Sequence, residues 1–165
     1  MRPIDVRDLL DAPGSAKTVR VDEVVPGLRT EMAEVPEDTH LAGDLVLESV
    51  VEGVYVTGSV AGHVVFRCAR CLQAFERDFD VEMHELFVRE QGPDDDYALG
   101  PDLALDPEPM VRDAVLLGMP FAPLCKPDCL GLCERCGGDR NLGECGCTQP
   151  IDPRWAALER FPNEP

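Results

Sequence analysis

Residues 44–88, DLVLESVVEGVYVTGSVAGHVVFRCARCLQAFERDFDVEMHELFV, decide the fold. Apolar side chains recur there at near-alternate positions in four runs. These are Leu45, Leu47, Val50 and Val51; Val54 and Val56; Val60, Val64 and Phe66; and Phe75, Phe79, Val81, Met83 and Leu86. Period-two alternation rich in Val and Phe specifies strands. Gly53, the Gly58-Ser59 pair and the Ala61-Gly62 pair interrupt the runs as candidate turns or bulges. The expected result is an antiparallel meander with the C-x-x-C pair Cys68 and Cys71 at the turn between its last two strands.

Upstream, IDVRDLL offers Ile4, Val6, Leu9 and Leu10 at mixed helical spacing before the break at Pro13-Gly14, which predicts one short helix. KTVRVDEVV alternates through Val19 and Val21 and predicts a strand. Residues 26–39 are charged and contain prolines, so they read as an irregular crossing segment. Downstream, residues 90–109 form an acidic loop by composition. PMVRDAVLLGMP then predicts a helix from about Met110 to Gly118, with Met110, Val111, Ala114, Val115 and Leu117 in one buried stripe and Glu108 near its N-terminus. The last segment, DPRWAALERF, predicts a short helix with Asp152 as N-cap and Pro153 at the first helical position, packed through Trp155, Leu158 and Phe161.

The fold class expected is α+β: an antiparallel β-meander or partly open barrel with a few short helices and a C-terminal zinc-ribbon-like tail. It divides into a β-rich core domain, 1–120, and a cysteine-rich zinc-binding tail, 121–165. At 165 residues the chain is long enough to bury a core without disulfides. With 44% apolar but only 5% aromatic residues, that core must be mostly Val and Leu, which favours sheet packing.

The charge is lopsided. There are 32 acidic against 15 basic residues, a formal net charge of -17, and 13 of the basic residues are Arg. Between Glu76 and Glu108 lie twelve acidic residues and two Arg. Affinity for nucleic acid comes largely from neutralising phosphates, so wrapping of RNA or duplex by bulk charge is disfavoured and a basic protein partner fits better. Arg2, Asp5, Arg7 and Asp8 interrupt the N-terminus where a signal peptide would be apolar, and no run is long enough to span a bilayer. A cytoplasmic location with reduced thiols is therefore expected.

Eight cysteines in a reducing compartment point to metal. They fall into four close pairs: Cys68 with Cys71, Cys125 with Cys129, Cys133 with Cys136, and Cys145 with Cys147. A tight C-x-x-C turn supplies two thiolates to a tetrahedral ion, so four pairs fill two Zn2+ sites. Gly137 and Gly138 after Cys136 suit a knuckle turn, and GGDRNLGE is a short, turn-rich return to Cys145. Cys133, Cys136, Cys145 and Cys147 are thus expected to form one zinc ribbon. Cys125 and Cys129 would join Cys68 and Cys71 in a second site that staples tail to sheet. The spacing also leaves open that Cys125, Cys129, Cys133 and Cys136 share one ion, leaving Cys68 and Cys71 to Cys145 and Cys147.

A disulfide scaffold needs an oxidising compartment, a redox C-x-x-C needs a helix start in a βαβ unit, and the spacing matches neither ferredoxin pattern. All-sulfur sites leave no open position for catalysis, and His40, His63 and His84 stand isolated in strand or loop contexts. No catalytic triad or phosphate-binding loop is visible, so the chain reads as a non-enzyme.

The ordered combination of FRCARCLQAFE, an acidic loop, a helix ending LGMPFAPLC and the tail CLGLCERCGGDRNLGECGC resembles the bacterial YceD family, the large ribosomal RNA subunit accumulation proteins. IDVRDLLDAPGS and DPRWAALERF are similar to that family's two ends. The resemblance implies a cytosolic ribosome biogenesis factor needed for 23S rRNA accumulation and large-subunit assembly. Family genes commonly neighbour that of a small basic zinc-ribbon protein of the large subunit, which implies an acidic chaperone or adaptor as the second possibility. Expected partners are the large-subunit precursor, 23S rRNA or a basic large-subunit ribosomal protein, with no membrane and no small-molecule substrate. Arg67, Arg70, Arg77, Lys126, Arg135 and Arg140 are the candidates for RNA contact, and the Glu76 to Glu108 face for a basic protein.

Overall fold

The structure, a computed structural model, describes residues 1–147 except 91, 94 and 95, together with residue 154. The helix expected over 152–161 lies outside the described residues.

Strand patterning in the decisive stretch resolves into three strands rather than four runs. β4 is His40–Ser49, β5 is Gly53–Arg67 and β6 is Ala74–Val88, the last two being 15 residues each. β5 is continuous through Gly58 and Gly62, both expected to break it, whereas Gly53 opens the strand directly after the turn from β4. The reason is packing: Gly62 pairs with Phe79 of β6, and a side chain there would meet Leu41 Cδ2 at 2.7 Å and Phe79 Cζ at 2.9 Å. The glycine leaves room that a leucine and a phenylalanine fill, so the strand continues beneath them.

Around this centre the remaining strands are shorter. β1 is Ile4–Asp5, β2 Ala16–Val24, β3 Ala33–Glu34, β7 Tyr97–Ala98 and β8 Ala104–Leu105. The main sheet runs β2-β4-β5-β6-β7, with β3 also on β5 and a separate β1-β8 pair. All pairings are antiparallel except β6 with β7. β2 and β7 stand at opposite edges without pairing to each other, so the sheet stays open.

Three local readings are corrected. Ile4 and Asp5 join a strand, so the first helix, α1, is only Arg7–Leu10. The crossing segment contributes β3, whose Ala33 and Glu34 pair with Phe66 and Val65. The acidic segment carries β7 and β8, with Leu99 and Leu105 buried.

The core lies on one face of the sheet. Leu41, Leu45 and Leu47 of β4, Val54, Val56, Val60 and Val64 of β5, and Met83 and Phe87 of β6 are buried there. α2, Glu108–Gly118, covers β6 with Met110, Val111 and Val115 buried. Leu117, expected in this stripe, is 83% exposed. The helix presents Val111, Val115 and Gly118 to the sheet, a Cβ on Gly118 would come within 2.8 Å of Val81 Cγ1, and Leu117 is turned off that face. Tyr97 stacks on Phe87 with centroids 5.3 Å apart and donates to Asp113 Oδ2 at 2.8 Å, tying β7 to α2. Past Met119, the chain leaves the core for the end of the sheet where β5 turns into β6.

Candidate metal centres

The turn between β5 and β6 holds Cys68 and Cys71. Cys68 N–H donates to Gln73 O at 2.9 Å and Leu72 N–H donates to Cys68 O at 2.9 Å, closing the loop. Leu72 adopts φ +62°, and Gly137, at the same place after Cys136, adopts φ +70°. Both C-x-x-C turns therefore reverse through a left-handed residue directly after their second cysteine, a conformation glycine accepts freely and leucine at a cost.

The tail comes back to this turn along a defined track. Ala69 N–H donates to Pro123 O at 2.8 Å, and Leu132 N–H donates to Arg70 O at 3.1 Å. Arg70 Nη1 donates to Cys129 O at 2.9 Å, and Arg77 Nη2 donates to Leu124 O at 3.0 Å with its guanidinium 5.1 Å above the Phe75 ring. Gly131, at φ +71°, lets the backbones approach: a Cβ there would sit 3.0 Å from Arg70 O. Arg70 and Arg77, candidates for RNA contact by sequence, thus hold tail carbonyls.

These contacts bring Cys68, Cys71, Cys125 and Cys129 together, with their sulfurs all within 4.8 Å of one another. Cys68 Sγ is 3.8 Å from Cys129 Sγ, and Cys71 Sγ is 3.7 Å from Cys125 Sγ. An ion bound to four sulfurs at about 2.3 Å in a tetrahedron sets them about 3.8 Å apart, so these spacings fit one. Cys68, Cys71 and Cys129 are 0%, 3% and 2% exposed and pack with Phe75, Leu124 and Leu132 in a cluster separate from the main core.

Cys133, Cys136, Cys145 and Cys147 form a second group whose sulfurs also lie within 4.8 Å of one another. Its turn is closed by Cys133 N–H to Gly138 O and Gly137 N–H to Cys133 O, both 2.8 Å. Cys136, Cys145 and Cys147 are exposed. The structure therefore gathers the sulfurs as strand pair plus first tail pair, and the two last pairs together. The alternative sharing, Cys125 and Cys129 with Cys133 and Cys136, is not the grouping observed. Either group could hold a metal ion.

Electrostatics inside the groups favour mixed protonation in the absence of metal. Burial pushes the Cys68 thiol up, but backbone N–H groups of Cys125, Cys71 and Arg70 outweigh it and hold it at about 6. Burial, followed by its thiol neighbours Cys71, Cys68 and Cys129, pushes Cys125 up to about 12. For Cys71 the Gln73 N–H lowers the value, yet burial and the neighbouring thiols leave it raised. In the second group, N–H groups of Cys136 and Arg135 lower Cys133 to about 6, while the Cys136 and Cys145 thiols raise Cys147 to about 12.

The histidines lie away from both groups, on the strands. His40 Nδ1 is 2.8 Å from Asp22 Oδ1, and His63 Nδ1 is 3.1 Å from Asp78 Oδ1. Sequence reasoning missed Asn141, whose Nδ2 donates to Cys129 Sγ at 3.5 Å. Its only signal was an amide inside the turn-rich GGDRNLGE, a pattern equally expected of any loop.

Among known proteins, the family described as large ribosomal RNA subunit accumulation protein YceD matches residues 56–161. An uncharacterized Mycobacterium tuberculosis protein is 40% identical over 134 residues, 78% of this chain and 65% of its own. An uncharacterized Mycobacterium leprae protein is 32% identical over 163 residues, 93% of this chain and 74% of its own. The uncharacterized Bacillus subtilis protein YlbN is 28% identical over 108 residues, 62% of this chain and 63% of its own. The chain thus spans 65% of the length of the Mycobacterium tuberculosis relative. No solved structure matches it. No helix among the described residues is long and apolar enough to cross a membrane.

Proposed function

From a chain that belongs to the YceD family of large ribosomal RNA subunit accumulation proteins, we propose a non-enzymatic, cytoplasmic ribosome biogenesis factor that supports 23S rRNA accumulation and large-subunit assembly. Two structural Zn2+ ions shape its tail, one held by Cys68, Cys71, Cys125 and Cys129 and one by Cys133, Cys136, Cys145 and Cys147. The observation that carries the metal reading is the near-tetrahedral sulfur spacing of the first group, 3.7 and 3.8 Å across its two pairs that join the strand turn to the tail. Four thiolates complete the shell of a zinc ion and leave no position for water, which suits structure rather than catalysis. The chain then divides near residue 120 into a sheet core and a metal-ordered tail, with a second buried cluster that straddles the division, joining Cys68, Cys71 and Phe75 of the sheet to Leu124, Cys129 and Leu132 of the tail.

The surface favours a second reading, an acidic adaptor for a basic large-subunit ribosomal protein. The sheet face opposite the core carries Glu76, Asp78, Asp80 and Glu82 along β6, all exposed, and Asp44 and Glu48 on β4, also exposed. Between them lie Ser59 and Ala61 of β5, small side chains that keep the face low. A face of this charge repels phosphate and attracts a basic protein.

One experiment separates the readings. The tagged protein is recovered from lysate, and co-purifying RNA and ribosomal proteins are both quantified. The adaptor reading predicts that RNA leaves once ribosomal proteins are stripped. If the factor instead supports accumulation by touching 23S rRNA itself, 23S sequences stay bound. Elemental analysis of the same preparation should give about two zinc ions per chain, the capacity of two four-sulfur sites; a metal-free or iron-containing protein would overturn the metal reading.

A further inference from the structure

One side chain from the loop of the exposed sulfur group reaches a sulfur of the buried one. Asn141 lies in the chain between Cys136 and Cys145, both ligands of the exposed group, but its amide reaches the buried one. Nδ2 donates to Cys129 Sγ at 3.5 Å and to Asp139 Oδ1 at 2.7 Å, and Oδ1 accepts the Leu130 N–H at 2.9 Å. The surrounding backbone repeats the link. Arg140 N–H donates to Gly131 O at 2.9 Å, and Leu132 pairs with Asp139 in an antiparallel bridge. The 139–141 loop, whose ends are fixed by Cys136 and Cys145, therefore clasps the segment that carries Cys129.

We propose that Asn141 is an outer-sphere donor to the buried centre and that, through it, the exposed centre governs how firmly the buried centre holds its metal. The inference rests on the reading that both groups take a divalent metal. An amide N–H directed at a thiolate offsets part of the excess negative charge of a four-thiolate centre and fixes the sulfur in place. Outer-sphere partners of this kind change metal affinity by about 10- to 100-fold. Asn141 can do so only while its loop is closed, and the four exposed-group cysteines close it together with the Arg140–Gly131 and Leu132–Asp139 backbone contacts. Cys136, Cys145 and Cys147 are open to solvent, so chelators and oxidants reach that centre first. Losing the outer metal frees the loop, withdraws the amide from Cys129 and loosens the inner metal in turn. The coupling is reciprocal, as any linkage between two binding equilibria must be.

The test uses the full chain loaded with isotopically labelled Zn2+ and chased with unlabelled Zn2+ in excess, so that the outer centre stays occupied while the label is lost. Wild type should release metal in two phases, a fast outer one and a slow inner one. Cys147→Ser opens the outer centre, and Asn141→Asp keeps an acceptor for Leu130 N–H while removing the donor to Cys129. Each should speed the slow phase by about 10- to 100-fold, and the double variant should be no faster than the faster single one, because both remove the same link. With Co2+ in place of zinc in the Cys147→Ser background, Asn141→Asp should leave the thiolate-to-cobalt band of the inner centre unmoved, whereas in an intact outer centre it should shift that band. A slow phase untouched by Cys147→Ser, or single effects that multiply in the double variant, would overturn the coupling while leaving two independent sites. Fewer than two metals on wild type, or no thiolate-to-cobalt band, would overturn the metal reading beneath it.

Discussion

Leu72 and Gly137 occupy equivalent places in the two C-x-x-C turns, both at positive φ. Gly137 has open space around a would-be Cβ, whereas Gly131, also at positive φ, faces Arg70 O at 3.0 Å. These positions separate two costs. Gly137→Ala incurs only left-handed strain, about 1 kcal/mol. Gly131→Ala adds a backbone collision to the same strain and should cost more, at the junction of tail and sheet. Resistance of the metal-loaded protein to chelator-linked unfolding should fall in that order; equal losses would mean the close approach at Arg70 is unimportant. Leu72 is 55% exposed, so Leu72→Gly removes strain without emptying a packed site and should be neutral or mildly stabilising.

At the level of elements, the sequence made the strands plain and their ends obscure. Alternation of Val, Leu and Phe marked β4, β5 and β6, because one face of the sheet is buried and the other wet. The glycines misled: a gap in the apolar pattern is the same whether the chain turns or a neighbour fills the space, and only the register of Gly62 on Phe79 distinguishes the two. The close cysteine pairs were legible from spacing alone. Their grouping was open because it depends on the tail returning to Ala69 and Arg70, contacts more than fifty residues distant in the chain. Asn141 was illegible for a different reason: its partners Cys129 and Leu130 are near in the chain, but an amide in a turn-rich loop reads the same whether or not it faces a sulfur. Helical periodicity placed Leu117 beside Met110, but the sheet meets α2 on the Val111 and Val115 side. The packing account of Gly62 has a consequence: Gly62→Val must displace Leu41 and Phe79 and should destabilise the core by about 1–3 kcal/mol, as overpacking does. A true turn position would tolerate valine differently, losing strand register rather than core packing. Urea unfolding monitored by sheet circular dichroism gives the stability change, and amide exchange along β5 shows whether the strand stays continuous.

Taken whole, the molecule is a sheet with its own apolar core and a tail that returns to the sheet at a cluster of sulfurs. The tail meets the sheet through a small buried cluster, Cys68, Cys71 and Cys129 with Phe75, Leu124 and Leu132, backbone bonds at Ala69 and Arg70, and the Arg70 and Arg77 guanidiniums on tail carbonyls. That is too little apolar surface to order a long segment without help. Cys68→Ser should therefore remove one metal and release the tail to protease near residues 119–124 while the sheet remains folded, as seen by mass spectrometry of the fragments. A tail equally protected in the variant would sink the stapling role.

Protonation gives a further check on the whole assembly. A metal takes thiolates, so every thiol protonated in the free protein must release its proton on loading. Cys125 and Cys147, near 12, and Cys71, raised, hold theirs at pH 8, whereas Cys68 and Cys133, near 6, have already lost them. The metal-bound state thus has its thiol pKa values depressed below those of the free chain. Its stability is greatest above the free thiol range and is lost as pH falls, because protons and metal compete for the same sulfurs. Each proton displaced steepens the apparent binding free energy by about 1.4 kcal/mol per pH unit. Calorimetric zinc titrations at pH 8 in two buffers of different ionisation enthalpy should count at least three protons released per chain, from Cys71, Cys125 and Cys147. Affinity that is flat between pH 6 and 8, or release of no protons, would mean that the metal is not held by thiolates and that the tail is ordered by something else.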